Sequence, residues 1–332
     1  MDATSRTAIV NAAMRALDTG YVFPDVARRA SALLAANLRA HAYDGIDDPV
    51  AFAERLTADL NGATHDLHVR VRYSVEPLPP PGADDDTPSP EQAAADLRDD
   101  QRQNFGVARV ERLPFNLGYI DLRQFADAAN AAPAIAAAMT LVAHTDALIV
   151  DLRSNGGGDP ACVAFMTSYL FDKRTHLNSL YWRKGERTEQ FWTDEWVPGP
   201  RFGATKPVYV LTSSRTFSGA EEFSYNLKNL KRATLVGETT GGGANPGDRQ
   251  QLSPHFDLFV PSGRAVSPIT HTNWEGIGVV PDVRVEAADA LRVAEVLALR
   301  GLLAQHRQGD DATALARRIA ELDSRGARRE RS

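Results

Sequence analysis

LTSSRTFSGAEEF, residues 211–223, bears on both the topology and the chemistry of this chain. The run that leads into it, PVYVLTS (207–213), is apolar and β-branched and reads as a buried strand. The run that leaves it, AEEFSYNLKNL (220–230), reads as a helix. Ser218 therefore stands at a strand–turn–helix junction. Glu221 follows three residues later, and S-x-x-E ahead of an apolar run is a capping box. Junctions of this kind also present nucleophiles at a sheet edge, beside free helix N–H groups. The stretch by itself leaves both readings open.

Outward from this junction the pattern repeats. DALIVDLR (146–153) is a short buried strand that runs through glycines into GGGDPACVAFMTSYLF (156–171), a helix. NFGVARVERL (104–113) and NLGYIDLRQF (116–125) read as two strands. ADAANAAPAIAAAMTLVAHT (126–145) reads as a helix despite its proline. HLNSLYWR (176–183) and TEQFWTDEW (188–196) form a strand pair, and RATLVGE (232–238) is the strand after the Ser218 helix. Strands alternating with helices predict an α/β core with a largely parallel sheet. Three amphipathic helices are predicted before it, the third in DDPVAFAERLTADLNG (47–62), with Asp48 as cap, Pro49 at the first turn and Gly62 at the end. HVRVRYSVEPL (68–78) alternates like a strand, so His65 and His68 are expected on opposite faces. The division expected is an N-terminal helical subdomain over 1–75 that ends in the His68 strand, an acidic proline-rich linker or insertion over 76–103, a core over 104–290, and C-terminal helices with a basic tail over 291–332.

The bulk properties narrow the function classes. The chain has 332 residues, enough for a large core, and a net charge of −6, which gives no electrostatic case for nucleic acid. Its one cysteine, Cys162, cannot form an intramolecular disulfide and sits in an apolar helical stretch as a core thiol. No window resembles a secretory signal or a membrane span, so the cytoplasm is the expected compartment.

Four further stretches supply chemistry. DLRSNGGGDP (151–160) ends a strand on three glycines whose N–H groups can bind a developing oxyanion, or form a plain flexible turn. GETTGGGANPGD (237–248) lines a cleft or is a long loop. HDLHVRV (65–71) holds two histidines three apart; without further ligands or H-E-x-x-H, a general base suits them better than a metal site, and no metal is expected. NWEGIGVVPDV (273–283) carries Glu275, a group able to orient an imidazole or an ordinary turn carboxylate. Together these are the parts of acyl-transfer catalysis.

The ordered set DLHVRV, NLGYIDLRQF, DLRSNGGGDP, LTSSRTFSGAEEF, RATLVGETTGGGANPGD and NWEGIGVVPDV resembles the tail-specific (C-terminal processing) protease family. It is most similar to the branch of interphotoreceptor retinoid-binding protein modules and bacterial relatives, with the tricorn protease core related. TGYVFPDVARRA and FAERLTADL resemble that branch's helical region, so the similarity covers most of 8–286. The resemblance implies a crotonase-like ββα-spiral α/β core behind an N-terminal helical subdomain; no PDZ domain is recognised. It implies Ser218 as nucleophile and an oxyanion hole from Gly219 together with Gly157 or Gly156. The processing proteases pair their serine with a lysine; that position falls here on Gly243, and Lys228 and Lys231 read as solvated helix-face residues. The tricorn-like branch uses histidine and glutamate instead, which match His68 and Glu275.

The function this implies is a serine peptidase acting on peptides or unfolded protein, without cofactor, metal or nucleotide. The same branch also implies a rival, a non-catalytic carrier of retinoids or fatty acids, with a hydrophobic small molecule as ligand. The co-occurrence of Ser218, His68 and Glu275 favours the enzyme, since a carrier has no need of all three. The sequence leaves the oligomeric state open.

Overall fold

The computed structural model describes residues 1–78, 90–305 and 310–329. It opens with α1 (Ala3–Gly20), α2 (Pro24–Arg39) and α3 (Pro49–Thr64). Asp48 caps α3 by accepting the Ala51 N–H at 2.7 Å, and Pro49 takes the first turn, where a missing N–H costs nothing. Gly62 does not end this helix. The helix runs on to Thr64 and closes at His65, whose φ of 55° is the left-handed turn that usually terminates helices. The strand that follows, β1 (Arg70–Tyr73), starts later than the alternation suggests. His65 and His68 are therefore not strand neighbours: one is a helix end and the other lies in the turn ahead of β1. Of the expected linker, 79–89 lies outside the described residues, and the remainder includes a helix, α4 (Pro90–Arg102), with no buried residue.

The core follows as β2 (Val107–Leu113), β3 (Leu117–Leu122), α5 (Ala128–Val142), β4 (Ala147–Asp151), α6 (Pro160–Ser168), β5 (His176–Trp182), β6 (Arg187–Trp192), β7 (Val208–Thr212), α7 (Gly219–Asn229) and β8 (Thr234–Gly237). Then come β9 (Gly247–Ser253), β10 (Phe256–Pro261), β11 (Gly263–Val266), β12 (Val283–Arg284), α8 (Ala290–Gln305) and α9 (Asp310–Arg329). The basic tail beyond α9, residues 330–332, lies outside the described residues.

Six strands form the central sheet in the order β12-β8-β7-β4-β3-β2, parallel throughout except for β2. Both faces are covered, which is why β4 and β7 are apolar at nearly every position. The pleat sorts their side chains. Leu148 and Val150 of β4 join one cluster with Ile135 and Met139 of α5, Val163 of α6 and Phe223 of α7. Ala147 and Ile149 face the other way, against Ala294, Leu299 and Leu302 of α8 and Leu315 and Leu322 of α9. Cys162 is fully buried in the first cluster, and burial pushes its thiol up to about 12.

Two antiparallel sheets stand apart from the central one, β11-β5-β6 and β1-β10-β9. The second joins the ends of the chain's logic: β1 pairs with β10 from Arg70↔Phe259 to Tyr73↔Phe256. Phe52 and Leu56 of α3, Leu17 of α1 and Leu34 of α2 bury themselves with Val71, Phe256, Leu258 and Val260. The N-terminal helices thus share their core with a strand supplied almost two hundred positions later.

Candidate active site

The junction quoted at the outset is a strand–turn–helix: β7, a turn over 213–218, then α7 with Ser218 at its N-cap. Ser218 holds φ 51° and ψ −121°, a conformation that costs a non-glycine residue free energy and marks functional turns. Glu221 reaches back to the Ser218 N–H at 2.9 Å, so the carboxylate half of the capping box forms. Glu221 does more than cap. Its buried carboxylate also accepts Thr240 Oγ1 at 2.5 Å, the Gly242 N–H at 2.7 Å and the Gly243 N–H at 2.8 Å. Burial raises its pKa, and those hydrogen bonds pull it back. One side chain thereby ties the serine turn to the second glycine-rich loop.

The first glycine-rich turn abuts the serine directly. A Cβ placed on Gly157, whose φ is 105°, would lie 2.7 Å from Ser218 Cβ and 2.8 Å from the Gly219 nitrogen. Its own N–H donates to Asn155 Oδ1 at 2.8 Å, and Asn155 Nδ2 donates to the Leu122 carbonyl at 3.0 Å. Gly156, Gly158 and Gly219 line the open space in front of Ser218.

His68 arrives from the N-terminal part. Its ring lies 4.6 Å from that of Phe217 and 5.7 Å from that of Phe259 on β10, centroid to centroid. Both ring nitrogens are buried, and neither is hydrogen-bonded. Nδ1 faces Asp66 Oδ1 at 3.5 Å. Asp66 is itself held by the His68 N–H at 3.0 Å, Asn245 Nδ2 at 2.9 Å and the Tyr21 hydroxyl at 3.1 Å. Glu275 completes the group: Asp66, His68 and Glu275 bring one carboxylate or ring atom each within 4.8 Å of one another. Two carboxylates and an imidazole are also a donor set that a divalent metal accepts. Glu275 Oε2 accepts the Ala244 N–H at 2.5 Å, while Oε1 is buried without a partner. Burial, reinforced by the charge of Asp66, pushes the Glu275 carboxyl up to about 8.

Ser218, His68, Gly156 and Gly219 line one cleft of about 1090 Å³; Glu275 sits behind His68, next to the lining residue Trp274. The glycine-rich loop over 237–248 contributes Gly241, Gly243, Ala244, Pro246 and Gly247 to the wall. Trp182 lines the cleft too, whereas Trp192 stacks on His176 at 4.4 Å and Trp196 is exposed. Asp66, Asn155 and the wider role of Glu221 were not singled out from sequence. Asp66 and Asn155 each lie within two residues of a residue that was, so proximity to the motif was the available signal.

A half-buried histidine flanked by carboxylates and a strained serine at a helix N-terminus lie in one cleft, the kinds of group that acyl transfer uses. Residues 116–285 match Peptidase family S41, and residues 3–104 match the N-terminal domain of Peptidase_S41 in eukaryotic IRBP. The chain belongs to peptidase family S41. It is 29% identical over 166 residues to carboxyl-terminal-processing peptidase 2, chloroplastic, of Arabidopsis thaliana, covering 50% of this chain and 31% of that protein. It is 30% identical over 153 residues to the tricorn protease of Thermoplasma volcanium, covering 43% of this chain and 13% of that protein. The matches thus span well under half of either relative's length. Among solved structures, the photosystem II D1 C-terminal processing protease aligns with a TM-score of 0.50 at 18% identity, over 93% of this chain and 98% of that one. A lipoprotein from Streptococcus agalactiae aligns with a TM-score of 0.54 at 13% identity, over 88% and 95%. The α/β fold is therefore the one expected from sequence.

Proposed function

We propose that this protein is a serine-type peptidase that hydrolyses peptide bonds in peptides or unfolded protein, with Ser218 as nucleophile, His68 as general base and Glu275, beside Asp66, as the carboxylate group behind the imidazole. The observation that carries this reading is at Gly243. The processing proteases place a lysine there, but here the His68 and Phe217 rings fill that space. A Cβ on Gly243 would lie 2.6 Å from His68 Cε1 and 2.2 Å from Phe217 Cζ. Histidine and a side chain at 243 exclude each other, so glycine at 243 goes with a histidine base.

The chemistry follows from the placement. One ring nitrogen of His68 takes the Ser218 proton as the hydroxyl attacks the carbonyl, and later gives it to the leaving amine. Nδ1 faces the carboxylates, which fix the ring and stabilise the imidazolium. Burial, reinforced by the charge of Asp66, raises the Glu275 carboxyl, so Glu275 keeps its proton at neutral pH until the ring becomes charged. The oxyanion falls to the Gly219 N–H, at the start of α7 where helix N–H groups lack partners, and to Gly156. Gly157 is the weaker candidate, because its N–H is already given to Asn155.

A fluorophosphonate probe read by mass spectrometry tests this. Labelling of wild type at Ser218, lost in Ser218→Ala and His68→Ala, is the expected result, and EDTA leaves it unaffected. Folded wild type that takes no label overturns the reading.

A further inference from the structure

The floor of the cleft holds a carboxylate for which the peptidase reading has no use. Glu222 lies on α7 one turn beyond Ser218, and its N–H donates to the Ser218 carbonyl at 2.9 Å. Positions four apart share a helix face, so its carboxyl lies on the nucleophile's side and lines the same cleft. The residue is 4% exposed. Asn226, one turn further along, and Asn178 on β5 are also buried and lie against it. Glu222 Oε1 and both amide atoms of Asn178 and of Asn226 lack a well-formed hydrogen bond, although both amides lie close enough to Glu222 to hold its carboxyl in part. Native interiors leave few such atoms, and five together in one cluster demand an occupant or a cost.

Charge says which occupant. Among the described residues no cation acts on Glu222, and the charge that does is another carboxylate, Asp159. Burial is the larger influence and holds the Glu222 carboxyl up at about 7, poised to ionise when a cation arrives. Asp159 and Glu189 line the same cleft, and so do Arg70, Arg215 and Arg249, none of which acts on Glu222. At Glu222 itself a fatty-acid headgroup would meet a carboxyl, with the charge of Asp159 acting there and no cation to offset it. A cation would meet its complement. The walls above are apolar, with Leu180 and Ala265 paired across β5 and β11, and Phe191 and Trp274 beside them. An apolar sleeve over a buried carboxylate suits a long side chain with a methylene stem and a charged head.

We infer that Glu222, with Asn178 and Asn226, forms the floor of the subsite for the side chain just before the cleaved bond, and that this subsite takes lysine or arginine. This rests on the serine peptidase reading for the bond cleaved, but not for the cation pocket itself.

Two measurements separate the pocket from the chemistry. The first is kcat/KM on peptidyl-coumarins ending in Arg, Lys, Leu or Glu. The expected preference for basic over leucyl substrate is about tenfold or more, and it collapses in Glu222→Gln. The second uses catalytically silent Ser218→Ala and follows its melting with benzamidine, n-hexylamine and hexanoate. The amines should raise Tm, hexanoate should not, and adding Glu222→Gln should remove the shift. A leucyl or glutamyl preference in protein whose Ser218 takes the fluorophosphonate label overturns the pocket and leaves the peptidase standing. Amine binding that survives Glu222→Gln also overturns it. Glu222-dependent amine binding in protein whose Ser218 never labels supports the pocket and sinks the peptidase reading.

Discussion

Ser218 is both the proposed nucleophile and the N-cap of α7, and the two tasks separate experimentally. Ser218→Ala should abolish fluorophosphonate labelling and lower peptide hydrolysis by about a thousandfold or more. The same change should cost only about 0.5–2 kcal/mol in urea unfolding, because Glu221 keeps the backbone half of the cap. Gly243 is less forgiving. Alanine there places a methyl group within reach of two rings that already touch, so Gly243→Ala should destabilise by about 1–3 kcal/mol and cut kcat, and lysine at this position should not create a working dyad. Glu275 gives a pH signature. Burial holds its folded carboxyl up at about 8, well above the ordinary glutamate range, so the folded state keeps an extra proton across that interval. Stability must then fall as pH rises through that window. Glu275→Gln should flatten the decline of unfolding free energy between pH 5 and 8. Some slope should remain, since Glu222 is shifted in the same direction. Ser218 and the glycines beside it were legible in sequence because their spacing is local. Asp66 and Glu222 were not, because their meaning comes from Asn245 and Asn178, which are remote along the chain.

Among the elements, the turn between β7 and α7 depends on a single carboxylate. Replacing Glu221 with alanine strands the Ser218, Gly242 and Gly243 N–H groups and the Thr240 hydroxyl at once. A loss of about 3–5 kcal/mol in urea unfolding is expected, well beyond an ordinary cap deletion. The helices α8 and α9 play a purely covering role on one face of the central sheet. A protein ending at residue 289 would present Leu117, Ile149, Leu211 and Val236 to water, and it should aggregate, as judged by size-exclusion chromatography. The elements of the central sheet were readable from runs of apolar residues. The strand pair of β9 and β10 was not anticipated. β9, GDRQQLS, is polar and largely solvated, so it carries no period, and glycine and proline around it read as loop. The left-handed end of α3 was also hidden, since nothing in THDLH announces that a histidine rather than Gly62 will close the helix.

For the whole molecule, the alternation of strands and helices gave the α/β class and the order of its central layers. What it did not contain was how the first seventy residues attach. They do so through β1 on β10 and through a shared apolar core, both matters of contact between distant segments. That attachment has a consequence in time. Ribosomes add about 5–20 residues per second. Leu258, which docks against Val71, follows His68 by 190 positions, so some 10–40 s separate their synthesis. Throughout that interval the imidazole exists without its berth. A nascent chain is an unfolded polypeptide, the very kind of material such an enzyme would attack. On the proposed function, Ser218 in turn waits for β10, some 40 positions after it, before its base is seated.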